Sequence, residues 1–489
     1  MIRDLDNAVL DVGKTEVHDL FFADILFLYC FLPICVGIYL MSGNTKYRNV
    51  VLIIFSMLFY AFGEPLMILL LLASVLVNYL LARLIDRHRG NKGGKIALAA
   101  ALIFDIGMLG IFKYTDFMID NINALTGLSI EHAGISLPLG ISFYTFQIIS
   151  YVIDVYWEKV KVQKHFHKLL LYISLFPQLV AGPIVRYSTI EQEIDNRTTT
   201  PSDVAAGATR LIIGLSKKVL LANSLNLLVT ACFPTDLTTG TVLGTWIGVI
   251  SYSMYVYFDF SGYSDMAIGM GRIFGFHFDE NFRYPFMCRS ITEFWQRWHI
   301  SLGSFFRDYL LYVPLFGKRR QVLSLFLVWF TTGLWHGASW NYVLWGLYFG
   351  VFLFIETKIG KKRLKKAPDV LMHIYNKMVI ILGFGIFRFE NMKDLGIFFG
   401  NLVGANGNAF TSTATNSAIL QYLWIFIISL IACFPVAQLV KALASSLPEK
   451  THGAVVLSNT AYMIFLLFLS TVVLVATSSS NNPFLYWRF

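Results

Sequence analysis

QVLSLFLVWFTTGLWHGASWNYVLWGLYFGVFLFIET, residues 321–357, decides the fold. The stretch lies between two basic clusters, Lys318-Arg319-Arg320 on one side and Lys361-Lys362-Arg363 with Lys365-Lys366 on the other. Short loops rich in Lys and Arg stay on the cytoplasmic side of a membrane. With both ends on that side, 321–336 and 338–357 read as an antiparallel helical hairpin whose apex is Trp335-His336-Gly337. Sixteen residues rise about 24 Å against a hydrocarbon core of about 30 Å. His336 is therefore expected well inside the membrane, far from the cytoplasmic entrance. Tilt, or a bend at Gly333, would draw it back toward the middle.

Outward from the hairpin, apolar runs recur at about 21–41, 49–63, 65–85, 96–113, 135–157, 168–186, 204–233, 242–260, 371–388, 417–443 and 454–476. Several are too short or too polar to be plain spans, and no internal repeat is visible. Over 489 residues, 56% are hydrophobic and 14% charged, with a mean hydropathy of +0.61. Soluble domains carry about 25% charge. The composition excludes a disordered chain and argues against a soluble enzyme. The net charge of +9 sits in short loops between apolar runs, which points to a lipid bilayer and not to nucleic acid. The expected fold class is an all-α multi-pass membrane protein, a single integral-membrane domain over 1–489.

Orientation follows from the same rule. Lys46 and Arg48 follow the first run, and Arg83, Arg87, Arg89, Lys92 and Lys95 surround the link after the third. Both loops are expected in the cytoplasm and the N-terminus outside. Residues 1–20 are net acidic, unlike the basic opening of a signal peptide, so 21–41 reads as a retained helix. Cys30, Cys35, Cys232, Cys288 and Cys433 form no CxxC pair and read as small apolar fillers. No metal site is expected. His165-Phe166-His167 has the spacing of a metal pair, but lysines surround it and it reads as a solvated loop.

Polar residues are densest among aromatics in 251–345. Ionisable groups inside a membrane are costly and usually face a cavity, a pathway or a partner. His336 is the sharpest candidate: a neutral imidazole takes a proton from a hydroxyl as general base. The plainer alternative is a buried histidine bonding a neighbouring helix. His299 lies on 292–306, which mixes apolar and charged residues and suits an interfacial or re-entrant helix. It is expected nearer the cytoplasm than His336. Arg283, Arg289, Arg297 and Arg307 suit a funnel for an anionic donor, since Arg forks match phosphate oxygens. The alternative is cytoplasmic anchoring with ion pairs such as Arg307 with Asp308. Asp259 and Asp265 are candidates for orienting a histidine or capping broken helices. Two prolines, Pro177 and Pro183, interrupt the apolar run 168–186.

These segments together resemble the membrane-bound O-acyltransferase (MBOAT) family, in its bacterial branch of alginate O-acetylases and exopolysaccharide or peptidoglycan O-acetyltransferases. The resembling stretches are FPQLVAGPIVR (176–186), YFDFSGYSDMAIG (257–269), NFRYPF (281–286), SITEFWQRWHISL (290–302), FRDYL (306–310) and LWHGASWN (334–341). The resemblance implies a ring of tilted transmembrane helices with re-entrant helices around a central tunnel. It implies a catalytic core at about 170–360, with His336 as the catalytic histidine and His299 as the second signature residue. The ending Phe484-Leu485-Tyr486-Trp487-Arg488-Phe489 is similar to the Phe-x-Tyr-x-x-Phe tail of this branch, in which Tyr486 would carry the acyl group. A phenol, of pKa about 10, leaves more readily than an alkyl alcohol, so a tyrosyl ester stays reactive. The tail alternatively reads as an aromatic interfacial anchor.

The activity so implied is transfer of acetyl from cytoplasmic acetyl-CoA to an extracytoplasmic polysaccharide, an exopolysaccharide or cell-wall polymer, in the cell (cytoplasmic) membrane. No segment is long enough for a Ser-His-Asp domain, so an extracytoplasmic SGNH-type partner is implied. Within the enzyme class the competitor is D-alanyl transfer to teichoic acid from a carrier-protein thioester. From another class it is a transporter or channel conducting along the buried polar residues.

Overall fold

A computed structural model describes residues 21–312, 320–446, 448, 451–477 and 484–485. The acidic N-terminal stretch, Lys318, Arg319 and Tyr486 lie outside the described residues. Among those described, every regular element is helical. Seven helices are long and apolar enough to cross a membrane: Met67–Arg87, Lys92–Thr126, Pro201–Cys232, Trp340–Ile359, Asp369–Arg388, Thr413–Ala432 and Gly453–Ala476. Their outer faces carry Ile96, Ile103, Leu420, Trp424 and Leu457, all exposed. That arrangement is costly in water and ordinary in lipid. The chain is a multi-pass membrane protein.

Several elements differ from the sequence reading, each for a local reason. The run 21–41 supplies an apolar helix only over Phe27–Met41, shorter than a full span. The run 168–186 breaks into Phe166–Ser174 and Phe176–Leu179, followed by non-helical backbone through the second proline. The run 417–443 splits at Pro435 into Thr413–Ala432 and Val436–Ser445. Between the runs 96–113 and 135–157 the chain holds a further helix, Thr115–Thr126. The run read as ending near 260 continues as one helix, Val242–Ile273, straight through YFDFSGYSDMAIG. Asp259 and Asp265 within it are met by Lys218, Lys217 and Arg210 from neighbouring helical turns.

That long helix is the axis of the molecule, with all but a few of its residues buried. Thr241 caps it by accepting the Gly244 N–H. Pro201–Ser216 packs antiparallel to it through two glycine pairs. A Cβ on Gly207 would stand 2.5 Å from the Gly269 carbonyl, and one on Gly214 2.5 Å from that of Gly262. Small residues let membrane helices approach this closely, where lipid gives no hydrophobic drive to associate. Pro201–Ser216 itself starts with a capping box, Thr200 with Asp203, and Pro201 in its first turn.

The hairpin expected over 321–357 is present as Gln321–His336 and Trp340–Ile359. It is sealed by Gly333 and Gly346, where a Cβ would meet the Tyr342 and Trp329 carbonyls respectively. His336 ends the first helix at the apex.

Candidate active site

His336 is 2% exposed. Its ring centroid lies 4.8 Å from Trp345 and 5.2 Å from Phe387, both edge-on. The preceding carbonyls are held from another helix. Lys113 Nζ donates to the Trp335 carbonyl at 2.5 Å and to Ser142 Oγ at 3.2 Å, and the Tyr114 hydroxyl donates to the Leu334 carbonyl at 2.7 Å. A cation at a helix C-terminus complements the macrodipole and meets carbonyls that have no partner within the helix. Lys113 and Tyr114 reach there from a π-helical turn, Gly110–Tyr114. Asn341 donates to the carbonyls of Ile386 and Phe387 and so ties the hairpin to Asp369–Arg388.

His299 is also 2% exposed. It does not sit inside one amphipathic helix, as 292–306 suggests. Ile291–Arg297 and Ile300–Phe306 are separate seven-residue helices, with His299 between them at φ 44°. This left-handed conformation is uncommon outside glycine, and histidine is among the residues that tolerate it. Ser290 caps the first short helix, and the buried carboxylate of Glu356 accepts the Ile291 and Thr292 N–H groups at 2.7 and 2.8 Å. The helix start is thereby pinned to the hairpin.

Asn281 organises the His299 ring. Its Oδ1 accepts the Ser301 N–H at 3.2 Å and the Ser301 hydroxyl at 2.9 Å, while its Nδ2 donates to Ser264 Oγ at 3.0 Å. With Oδ1 so identified as an acceptor, His299 Nδ1, 3.2 Å away, is the donor. The neutral ring then carries its lone pair on Nε2. Ser301 Oγ in turn accepts the Ile184 N–H at 3.0 Å, which brings the proline-broken segment against the site.

The two histidines are linked through one side chain. The Trp335 indole lies 5.7 Å from the His299 ring and is adjacent in sequence to His336. Phe260 packs edge-on to His299 at 4.6 Å from the long helix.

Three of the four arginines are engaged. Arg289 pairs with Asp369, Arg297 with Glu293 at 2.6 Å, and Arg307 with Asp308 at 2.7 Å. Asp308 also takes Arg186 at 2.8 Å. Arg283 is exposed, and among the described residues no carboxylate pairs with it. Asp259 and Asp265 neither orient a histidine nor cap a broken helix. Lys217 and Arg210 clasp Asp265 at 2.6 and 2.8 Å, and Lys218 meets Asp259 at 2.6 Å.

The C-terminal tail enters this core. Phe484 is 2% exposed and stacks edge-on to Tyr263 at 4.8 Å. The Leu485 N–H donates to Asp259 Oδ2 at 2.8 Å. These contacts do not suit a simple interfacial anchor. Tyr486, the next residue, lies outside the described residues.

Sequence reasoning missed Asn281, Trp335, Lys113 and Lys218 as contributors. A signal existed for the two lysines, since each interrupts an apolar run. Asn281 opens the resembling stretch NFRYPF, but its role was not legible because its partners are 17 to 20 residues away.

Comparison with known proteins identifies the family. The model of the membrane-bound O-acyltransferase family matches residues 161–393. The chain is 34% identical over 489 residues to a probable alginate O-acetylase of Pseudomonas putida, covering 96% of this chain and all of that one. It is 33% identical over 435 residues to the peptidoglycan O-acetyltransferase of Helicobacter pylori, covering 81% and 82%. It is 33% identical over 267 residues to the teichoic acid D-alanyltransferase of Bacillus subtilis, covering 51% and 67%. With one relative matched end to end, and with buried histidines at the apex of a membrane hairpin and between two short helices, the chain belongs to the membrane-bound O-acyltransferase family and is an O-acyltransferase.

Proposed function

We propose that the protein takes acetyl from acetyl-CoA at the cytoplasmic face and delivers it for O-acetylation of an extracytoplasmic polysaccharide. The relatives of greatest coverage are named for alginate and peptidoglycan O-acetylation, which supports a sugar-polymer acceptor. Their bacterial sources support the cytoplasmic membrane, and the basic loops after the first and third apolar runs support an N-terminus outside. Two D-alanyltransferase relatives match 51% of the chain at 33% identity and 70% at 26%, against 96% at 34% for the alginate O-acetylase, which disfavours the D-alanyl reading. Membership of an acyltransferase family displaces the transporter reading.

The observation that carries the proposal is the seating of the tail. Leu485 is bonded to Asp259, and the next residue on that helix, Phe260, packs against His299. In the proposed route His336 takes the phenolic proton of Tyr486. The phenolate oxygen attacks the thioester carbonyl, the C–S bond breaks, and coenzyme A leaves as a thiolate that takes up a proton. His299, held by Asn281, stands across the Trp335 indole from His336. Arg283 would receive the phosphates of the donor, whereas Arg289, Arg297 and Arg307, which the sequence groups with it as a donor funnel, are paired with carboxylates. An SGNH-type partner outside would accept acetyl from the tyrosyl ester and pass it to a polymer hydroxyl.

The test is chemical analysis of the envelope and exported polysaccharide from cells carrying wild-type protein or His336→Ala. Ester-linked acetate and ester-linked D-alanine are released by mild alkali and measured separately. Acetate that falls in the variant supports the proposal. D-alanine that falls while acetate is unchanged replaces it with the teichoic-acid reading.

A further inference from the structure

Lys218 and Asp259 form an ion pair whose side chains are 1% and 0% exposed. Charges buried this deeply are expensive, and an apolar pair would usually serve the helix packing as well. The contacts of the pair extend beyond the bundle. Asp259 Oδ1 takes Lys218 Nζ at 2.6 Å, and Oδ2 takes the Leu485 N–H at 2.8 Å, across 226 residues of chain. Lys218 Nζ also stands 4.7 Å from the centre of the Phe484 ring, a cation–π distance. Both ends of the pair therefore hold the tail. Lys218 lies on a π-helical turn, Lys217–Ala222, and both Lys217 and Lys218 reach aspartates of the same facing helix. Such turns are rare and concentrate at functional positions. Chain termini stay poorly ordered unless tied down, and near this one Phe484 and Leu485 are tied by a buried carboxylate, a cation and the Tyr263 ring.

We infer that the Lys218–Asp259 pair is a latch that seats the C-terminal tail in the core, with both residues acting as positioning residues for the segment after Leu485. The catalytic consequence rests on the reading of Tyr486 as acyl carrier; the seating itself does not.

The test is hydrogen exchange of the full-length protein in lipid nanodiscs, read by mass spectrometry on the C-terminal peptide, with acetyl transfer measured on the same preparations. Asp259→Ala removes the acceptor, Asp259→Asn keeps one, and Phe484→Ala alters only the chain end and leaves the helices intact. Exchange in the tail peptide is expected to rise about tenfold or more in Asp259→Ala and Phe484→Ala, and less in Asp259→Asn. The peptides of 321–357 should stay as in wild type. If Asp259→Ala does not fold, Phe484→Ala decides alone. Faster tail exchange with lost acetyl transfer supports the latch and its positioning role. Faster tail exchange with unchanged transfer keeps the latch and overturns Tyr486 as carrier. Unchanged tail exchange in Phe484→Ala overturns the latch whatever the activity.

Discussion

The indole of Trp335 stands 5.7 Å from the imidazole of His299, and its backbone carbonyl accepts a hydrogen bond from Lys113. One residue thus spans the two buried histidines and fixes the end of the helix that presents His336. Trp335→Leu is expected to keep the fold while lowering the acetyl-transfer rate roughly 10- to 100-fold, since small displacements of reacting groups cost about that much. Trp335→Phe should lose less. Asn281→Leu should act on the other side of the pair. It leaves buried donors on His299 and Ser301 without their shared acceptor, at about 1–3 kcal/mol of stability. Steady-state rates with thermal melts separate the two effects, and a Trp335→Leu enzyme of unchanged rate would remove the bridge from the mechanism.

The arginines divide by their partners. Arg283 is exposed and pairs with no described carboxylate, whereas Arg297 is committed to Glu293. Arg283→Ala is expected to raise the KM for acetyl-CoA about tenfold with little change in kcat, the size of a lost charge-assisted hydrogen bond. Arg297→Ala, which breaks a partly exposed pair, should change stability by about 0–1 kcal/mol. Equal KM values for wild type and Arg283→Ala would remove Arg283 from the donor site.

Gly333 is set where a Cβ would strike the Tyr342 carbonyl. Gly333→Ala should therefore wedge the hairpin apart, costing about 1–3 kcal/mol by overpacking and moving His336. Gly396, with open space around its Cβ position, is the control. A melt of Gly333→Ala matching wild type would contradict the close helix contact.

The segment after Thr115–Thr126 carries a pH-dependent tie. His132 Nε2 meets Asp120 Oδ1 at 2.6 Å, and that hydrogen bond, with the Asp120 charge and a weaker contribution from Asp116, raises the His132 pKa above its ordinary 6.5. The folded state holds the proton more tightly, so the tie is fully present below the ordinary value and is lost as pH rises through the raised one. Asp116 meanwhile accepts the Ala133 N–H at 2.8 Å, a contact independent of the imidazole. Exchange of the 127–140 segment, corrected for intrinsic rates, should speed up as pH rises through that raised value in wild type and show no such step in His132→Asn. A step that persists in the variant would assign it elsewhere.

The sequence was most legible where one residue pattern acts locally. The hairpin at 321–357 could be drawn from two basic clusters and an apolar run, and its apex fell on His336 as expected. Legibility failed where partners lie far away in sequence. Ser264 and Asp265 look like the end of a span, yet the helix continues, with Asn281 meeting Ser264 and Lys217 and Arg210 meeting Asp265. The stretch 292–306 has a helical pattern throughout, but Asn281 pairs with Ile300 and Ser301 and breaks it at His299. The tail was recognisable by resemblance. Its burial was not, because Asp259 and Leu485 are joined only by the folded chain.

The central claim is that His336 loads acetyl onto Tyr486. It is tested most directly by incubating purified wild type, His336→Ala and Tyr486→Phe with radiolabelled acetyl-CoA and mapping covalent label by mass spectrometry. Label on Tyr486 in wild type, absent from both variants, is the expected result. Coenzyme A release that depends on His336 without any label on Tyr486 would contradict it and assign transfer directly to a partner or lipid.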